Sequence, residues 1–185
     1  MKPLKAERKI LTQGELDGAC YLYSLSNAYV CLTGKRPTQN NWDKTIDILP
    51  FQKDFLKSSV GTENCYKNNI DMKELTANFF KNLSCRSNLS FDVVAHENID
   101  DKESLGMLIN DHTVSVFCMF QEHWVVGSSY DKKKDILRIA CSYQLLENAP
   151  YIERLDELYN RPYNAITKRK NLGCKGTVFS VTVNS

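Results

Sequence analysis

The spacing of apolar residues in the first half of the chain is that of α-helices. Apolar side chains recur every three or four positions after residue 18 and stop at Gly34, which predicts a helix with a stripe made of Leu22, Leu25, Tyr29 and Leu32. Cys20 is expected in the first turn of this helix, on the side opposite the stripe. The same spacing predicts further helices over 41–49, 72–82, 102–110 and 151–159.

The pattern changes to that of β-strands after residue 89. Runs rich in Val, Ile and Phe predict strands over 91–94, 113–120, 123–127, 136–141 and 177–183, with a turn over 131–135. Helices followed by a mostly antiparallel sheet are typical of an α+β fold, and no glycine-rich phosphate loop is present. We expect one domain over 1–185, with a mainly helical half (1–88) and a mainly sheet half (89–185).

Composition and charge narrow the class of protein. The chain has 185 residues, of which 42% are hydrophobic and 25% charged, as in an ordinary globular domain. A net charge of +2 does not favour a nucleic-acid partner. The weakly basic stretch from Arg161 to Lys175 could dock an anionic partner, but a solvated loop is the simpler interpretation. No apolar run approaches the roughly 20 residues of a membrane helix, so no membrane partner is expected.

The cysteines and histidines favour neither disulfides nor a metal. An odd number of widely spaced cysteines without CxxC spacing predicts free thiols, most of them in the core: Cys20, Cys31, Cys65, Cys85, Cys118, Cys141 and Cys174. His96, His112 and His123 form no metal-type cluster, so we expect neither metal nor cofactor. With no secretory pattern in the first ten residues, we expect a reduced, cytoplasmic protein, although delivery to another cell by specialised secretion stays open.

One cysteine has the surroundings that a nucleophile needs. A catalytic thiolate is stabilised by a helix N-terminus, exchanges its proton with an imidazole, and needs a donor for the oxyanion that forms on the substrate. Cys20 lies at a predicted helix start, behind Gly18. Gln13 is seven residues upstream and can donate from its side chain, and His123 begins a predicted strand.

These segments resemble the papain-like cysteine peptidases. Gln13-Gly14 with residues 18–24 is similar to their nucleophile segment, 123–127 to their histidine strand, and 136–143 to the strand after it. The resemblance implies a papain-like α+β fold, in which the Cys20 helix packs on the sheet that carries His123, with a cleft between. It also implies a thiol hydrolase that cleaves peptide or isopeptide bonds of a protein or peptide substrate. Cys20 would be the nucleophile, His123 the general base and acid, and Gln13 the oxyanion donor.

Cys141 falls where the family has the asparagine that orients the histidine. A thiol is a weak acceptor for an imidazole N–H, which leaves Cys141, Ser142, Gln144 or a backbone carbonyl as the orienting group. Tyr21 replaces the family's tryptophan and is expected to line the cleft, whereas Trp124 is expected in the core. Two alternatives to a peptidase remain. They are a protein glutamine deamidase or acyltransferase on the same fold, and a binding module whose site has decayed. The sequence indicates no oligomeric state.

Overall fold

The protein is described by a computed structural model over residues 10–12, 19–47, 61–85, 88–97, 99, 101–119, 123–143, 152–155, 162–172 and 177–184. Within these residues the fold is α+β. Four helices that the structure describes precede the first described strand: α1 (Cys20–Thr33), α2 (Gln39–Asp47), α3 (Glu63–Lys67) and α4 (Met72–Ser84). A short helix, α5 (Lys102–Met107), follows that strand.

The described strands form one antiparallel sheet in the order β1-β7-β2-β3-β4-β6-β5. They are β1 (Ser90–His96), β2 (Thr113–Met119), β3 (His123–Asp131), β4 (Ile136–Ala140), β5 (Glu153–Arg154), β6 (Ala165–Lys168) and β7 (Val178–Asn184). The hairpin between β2 and β3 pairs Met119 with His123, and Cys118 with Trp124. This pairing sets His123 at the start of β3, beside a core tryptophan.

Helix α1 is buried on nearly all of its surface. The predicted start at Cys20 and stop at Gly34 are confirmed, and Gly34 has the left-handed conformation expected of a helix terminator (φ 69°). The prediction of a single packing stripe is wrong, because the polar side of the helix is buried as well. α1 packs on β3 and β2 and also contacts α4, so it is enclosed from more than one direction. Asn27 meets this burial by exchanging hydrogen bonds of 2.7 and 3.0 Å with the backbone of Leu11.

Two predictions for the C-terminal part are wrong where the structure describes it. Within the predicted helix over 151–159, the described β5 residues Glu153 and Arg154 pair with β6 instead. Within the predicted loop from Arg161 to Lys175, residues 165–168 form β6, and Arg169–Asn171 forms a 3₁₀ turn. β6 pairs with β4 over four residues. Pairing with a distant strand therefore decides the structure of both segments, and local composition does not reveal such pairing.

Every described cysteine is a free thiol. Cys20, Cys31, Cys65 and Cys141 are buried, which agrees with the prediction that most cysteines are core residues. Cys118 is half-buried and Cys85 is exposed at the end of α4, so for Cys85 a core position is wrong. Cys174 lies outside the described residues.

Candidate active site around Cys20 and His123

Cys20 lies in the first turn of α1, where backbone N–H groups lack helical partners. Ala19, at the N-cap position, makes no side-chain capping bond. The hydroxyl of Thr62 acts in its place, because its oxygen accepts the Tyr21 N–H at 3.2 Å. The positive end of the helix dipole stabilises negative charge at this position. A Cys20 thiolate would therefore lie where the helix favours an anion.

Thr62 also contacts the Cys20 sulfur directly. Its Oγ1 is 3.5 Å from Cys20 Sγ, and the residue is only 5% exposed. Since this oxygen already accepts the Tyr21 N–H, the hydroxyl proton can be donated to the sulfur. No local pattern in the sequence marks Thr62 as a residue of the site. It lies 42 positions from Cys20 and reaches the site only through the fold.

Helix α3 brings two further acidic groups near the same sulfur. Burial, together with the nearby Cys20, raises the pKa of the Cys65 thiol to about 12, so Cys65 stays protonated at neutral pH. Burial also raises the pKa of Tyr66, and the neighbouring Cys118 and Cys20 add to this effect. Tyr66 therefore remains a phenol at neutral pH. Among these groups, Cys20 is the one whose side chain contacts the Thr62 hydroxyl, which can stabilise a negative charge on its sulfur.

His123 is half-buried at the start of β3. Its Nε2 is 3.3 Å from the sulfur of Cys141, and its ring lies 5.7 Å from the ring of Tyr143. Cys141 directly follows β4 and is fully buried. Asn164 fixes its position, since the Asn164 amide both accepts the Cys141 N–H and donates to the Cys141 carbonyl, each at 2.8 Å. The sulfur is thus held against one nitrogen of the imidazole ring.

The segments carrying Cys20 and His123 meet through their next residues. The Tyr21 and Trp124 rings pack edge to face with centroids 4.7 Å apart, and α1 lies against β3. Trp124 is buried, which confirms the prediction that it packs in the core. Tyr21 is also fully buried, so the prediction that it lines a cleft is wrong. Helix α4 and the sheet enclose the Tyr21 side chain, and the Tyr21 hydroxyl donates a hydrogen bond to the Met72 carbonyl at 3.1 Å.

The other residues predicted for the site have no described position there. Gln13, the predicted oxyanion donor, and Gln144, one possible orienting group, lie outside the described residues. Ser142 is buried beside Cys141. Of the side chains considered for orienting the imidazole, Cys141 contacts His123.

Replacing Thr62 by valine is expected to slow alkylation of Cys20 at neutral pH by about tenfold. Valine keeps the shape but removes the hydroxyl, and a hydrogen bond to a charged group contributes about 1.5–3 kcal/mol. Thr62→Ser restores the hydroxyl and is the matched control, with a rate close to that of the parent chain. Iodoacetamide labelling over a pH series, read at Cys20 by peptide mass spectrometry, measures the effect. Equal rates for the valine and parent chains would exclude this role for Thr62.

No model of a known protein family matches the chain, and no curated protein matches it. Among the described residues, no helix has both the length and the apolar character that crossing a bilayer requires. The described residues also contain no group of three or more His, Cys, Asp or Glu side chains arranged as metal ligands. The functional proposal therefore rests on the residues of the site and their geometry.

Proposed function

We propose that the chain is a papain-like cysteine peptidase that cleaves peptide or isopeptide bonds through a Cys20 acyl-enzyme. The Cys20 thiolate attacks the substrate carbonyl carbon, and the C–N bond then breaks as the His123 imidazolium gives its proton to the leaving amine. Water, deprotonated by the neutral imidazole, attacks the thioester carbonyl carbon, and the C–S bond breaks to release the carboxylic acid and restore the Cys20 thiolate and the His123 imidazolium. Gln13 donates to the oxyanion in both steps.

The observation that carries this proposal is the placement of Cys20. A thiol at the first turn of a buried helix, capped by a hydroxyl that also contacts its sulfur, has the surroundings of a stabilised thiolate. The edge-to-face contact between Tyr21 and Trp124 joins this helix end to the strand that begins with His123. A nucleophile and a base on two elements that pack together match the Cys–His arrangement of thiol hydrolases.

The contact between His123 and Cys141 divides the roles of the two ring nitrogens. Nε2 faces the Cys141 sulfur, and in the proposed mechanism Nδ1 is the nitrogen that exchanges the proton with Cys20. In this arrangement Cys141 fixes the ring orientation from the position of the family's asparagine. Because a thiol is a weaker acceptor than an amide oxygen, the imidazolium is less stabilised than it would be with asparagine.

Selective labelling of Cys20 tests the proposal. A peptide-based electrophile with an acyloxymethyl ketone group should modify Cys20 faster than any other cysteine, as mapped by peptide mass spectrometry. Exposed Cys85 is the internal control for simple accessibility. Cys65, whose pKa is raised to about 12, should react only after unfolding. Equal, slow labelling of Cys20 and Cys85 would contradict the peptidase proposal.

The second candidate is a binding module that keeps the fold without turnover, and the weak orienting contact at His123 favours it. A chain that binds the peptide electrophile reversibly but forms no adduct would support this candidate. A protein glutamine deamidase or acyltransferase would use the same Cys20 chemistry with a different amide. Release of ammonia from a partner protein without chain cleavage would identify that activity.

Free thiols at every described cysteine fit our proposal of a reducing, cytoplasmic location.

A further inference from the structure

Four exposed lysines from two separate segments of the chain lie at one end of the sheet. The β4–β6 register pairs Ile136 with Lys168, which places the turn after β3 beside the end of β6 and the 3₁₀ turn. This lysine surface consists of Lys133, Lys134, Lys168 and Lys170, whereas the side chain of Lys132 lies against Gly106 of α5. None of these four ammonium groups forms an ion pair with another described residue. The chain's small net charge therefore conceals a local concentration of positive charge.

The nearby carboxylates have partners of their own. Asp135 accepts the Tyr130 hydroxyl at 2.6 Å and pairs with Arg169 at 3.5 Å and Lys102 at 4.0 Å. The Tyr130 hydrogen bond, helped by these two cations, holds the pKa of Asp135 below its usual range. Asp131 accepts two backbone N–H groups of the turn, each at 3.1 Å. These two acids shape the turn, and the four lysine charges of the surface can face an outside partner.

A cavity of about 350 Å³ adjoins the lysine surface. Its apolar lining comes from Ile136, Ile152 and Ile166, and its charged lining from Lys168, Lys170 and a single carboxylate, Glu153. The volume is within the range that holds a small ligand or a few side chains. An apolar lining with a net positive rim matches a ligand that is both hydrophobic and acidic.

We infer that the lysine surface and this cavity bind an acidic segment of a partner protein, with an apolar side chain of that segment in the cavity. A nucleic-acid backbone would match the charge but has no group for an isoleucine-lined cavity. The described lining also offers no aromatic platform for a base to stack on. An acidic protein segment supplies carboxylates for the lysines and an aliphatic side chain for the isoleucines. This inference is independent of the chemistry proposed at Cys20.

Binding of a designed acidic peptide tests the inference. The probe is a fluorescent peptide of about ten alternating Glu and Leu residues, followed by anisotropy against the full chain at low salt. Lys168→Glu/Lys170→Glu should weaken binding by at least about tenfold, equivalent to about 1.4 kcal/mol. The matched control is Lys73→Glu/Lys81→Glu on the exposed face of α4, which makes the same change in net charge and should alter binding by less than about twofold.

Four outcomes would overturn the inference. Absence of probe binding at low salt would be the first, and equal weakening by both double variants, which would reduce the effect to net charge, would be the second. A Glu–Gly peptide binding as tightly as the Glu–Leu peptide would leave the cavity without a role. Single-stranded RNA of equal charge binding more tightly than the peptide would make the surface a nucleic-acid site. Repeating the titration with Cys20→Ala separates binding from turnover, since docking should be unchanged in that chain.

Discussion

Replacing Cys20 by alanine is expected to lower kcat/KM for a cleaved peptide by about 10⁴-fold or more, with the fold intact. The substitution removes the atom that forms the acyl-enzyme, so only binding and oxyanion stabilisation remain. The effect on stability should be about 1 kcal/mol, because only a sulfur atom beside Thr62 is lost. Steady-state cleavage of a fluorogenic peptide and a urea unfolding curve on the same preparation measure both quantities.

Substitutions at Cys141 are the matched control for this result. Cys141→Asn puts an amide acceptor in place of the sulfur that now faces His123 Nε2, and activity should be unchanged or higher. Because Cys141 is fully buried, Cys141→Ser gives a smaller polar replacement, and unfolding curves show whether either variant still folds. Full activity in Cys20→Ala with complete loss in Cys141→Ser would identify Cys141 as the nucleophile and end the assignment to Cys20.

Local sequence pattern was sufficient to predict the elements that carry the site. The start of α1 at Cys20 and its stop at Gly34 follow from residue types that act within one helical turn. The strand beginning at His123 and the turn over 131–135 also follow from short-range signals, namely a β-branched run and a polar break. Placing Cys20 at a helix terminus and His123 at a strand start therefore needed no knowledge of the tertiary fold.

Contacts between distant segments account for what the sequence did not reveal. A tyrosine is compatible with both a cleft wall and a buried core, so the residue type of Tyr21 does not predict its position. Tyr21 is buried because the sheet and α4 enclose α1. Thr62 has no motif around it and acquires its role from its position against the end of α1. The pairing of β5 with β6 is a third case, because the register between two short strands is not encoded in either one alone.

Replacing Trp124 by alanine is expected to lower the free energy of unfolding by about 3–5 kcal/mol, the usual range for a buried tryptophan. Trp124 is only 3% exposed, and its ring packs on Tyr21 and stacks on Phe179 at 6.0 Å. Its Nε1 also donates to the Tyr66 hydroxyl at 3.1 Å, so one side chain joins α1, β7 and α3. Trp124→Phe keeps much of the packing but loses this hydrogen bond, and we expect a smaller loss, about 1–2 kcal/mol.

The second tryptophan of the chain provides the control for this prediction. Trp42 lies half-buried on α2, with its ring 5.3 Å from that of Tyr23. Trp42→Ala should therefore cost less than Trp124→Ala, about 2 kcal/mol, since part of the Trp42 side chain stays exposed to water. Urea unfolding followed by far-UV circular dichroism measures the free energy of unfolding of all three variants.

Equal losses for Trp42→Ala and Trp124→Ala would contradict the central position of Trp124. A larger loss at Trp124, together with reduced Cys20 labelling in Trp124→Phe, would show that the packing which stabilises the sheet also sets the geometry of the site.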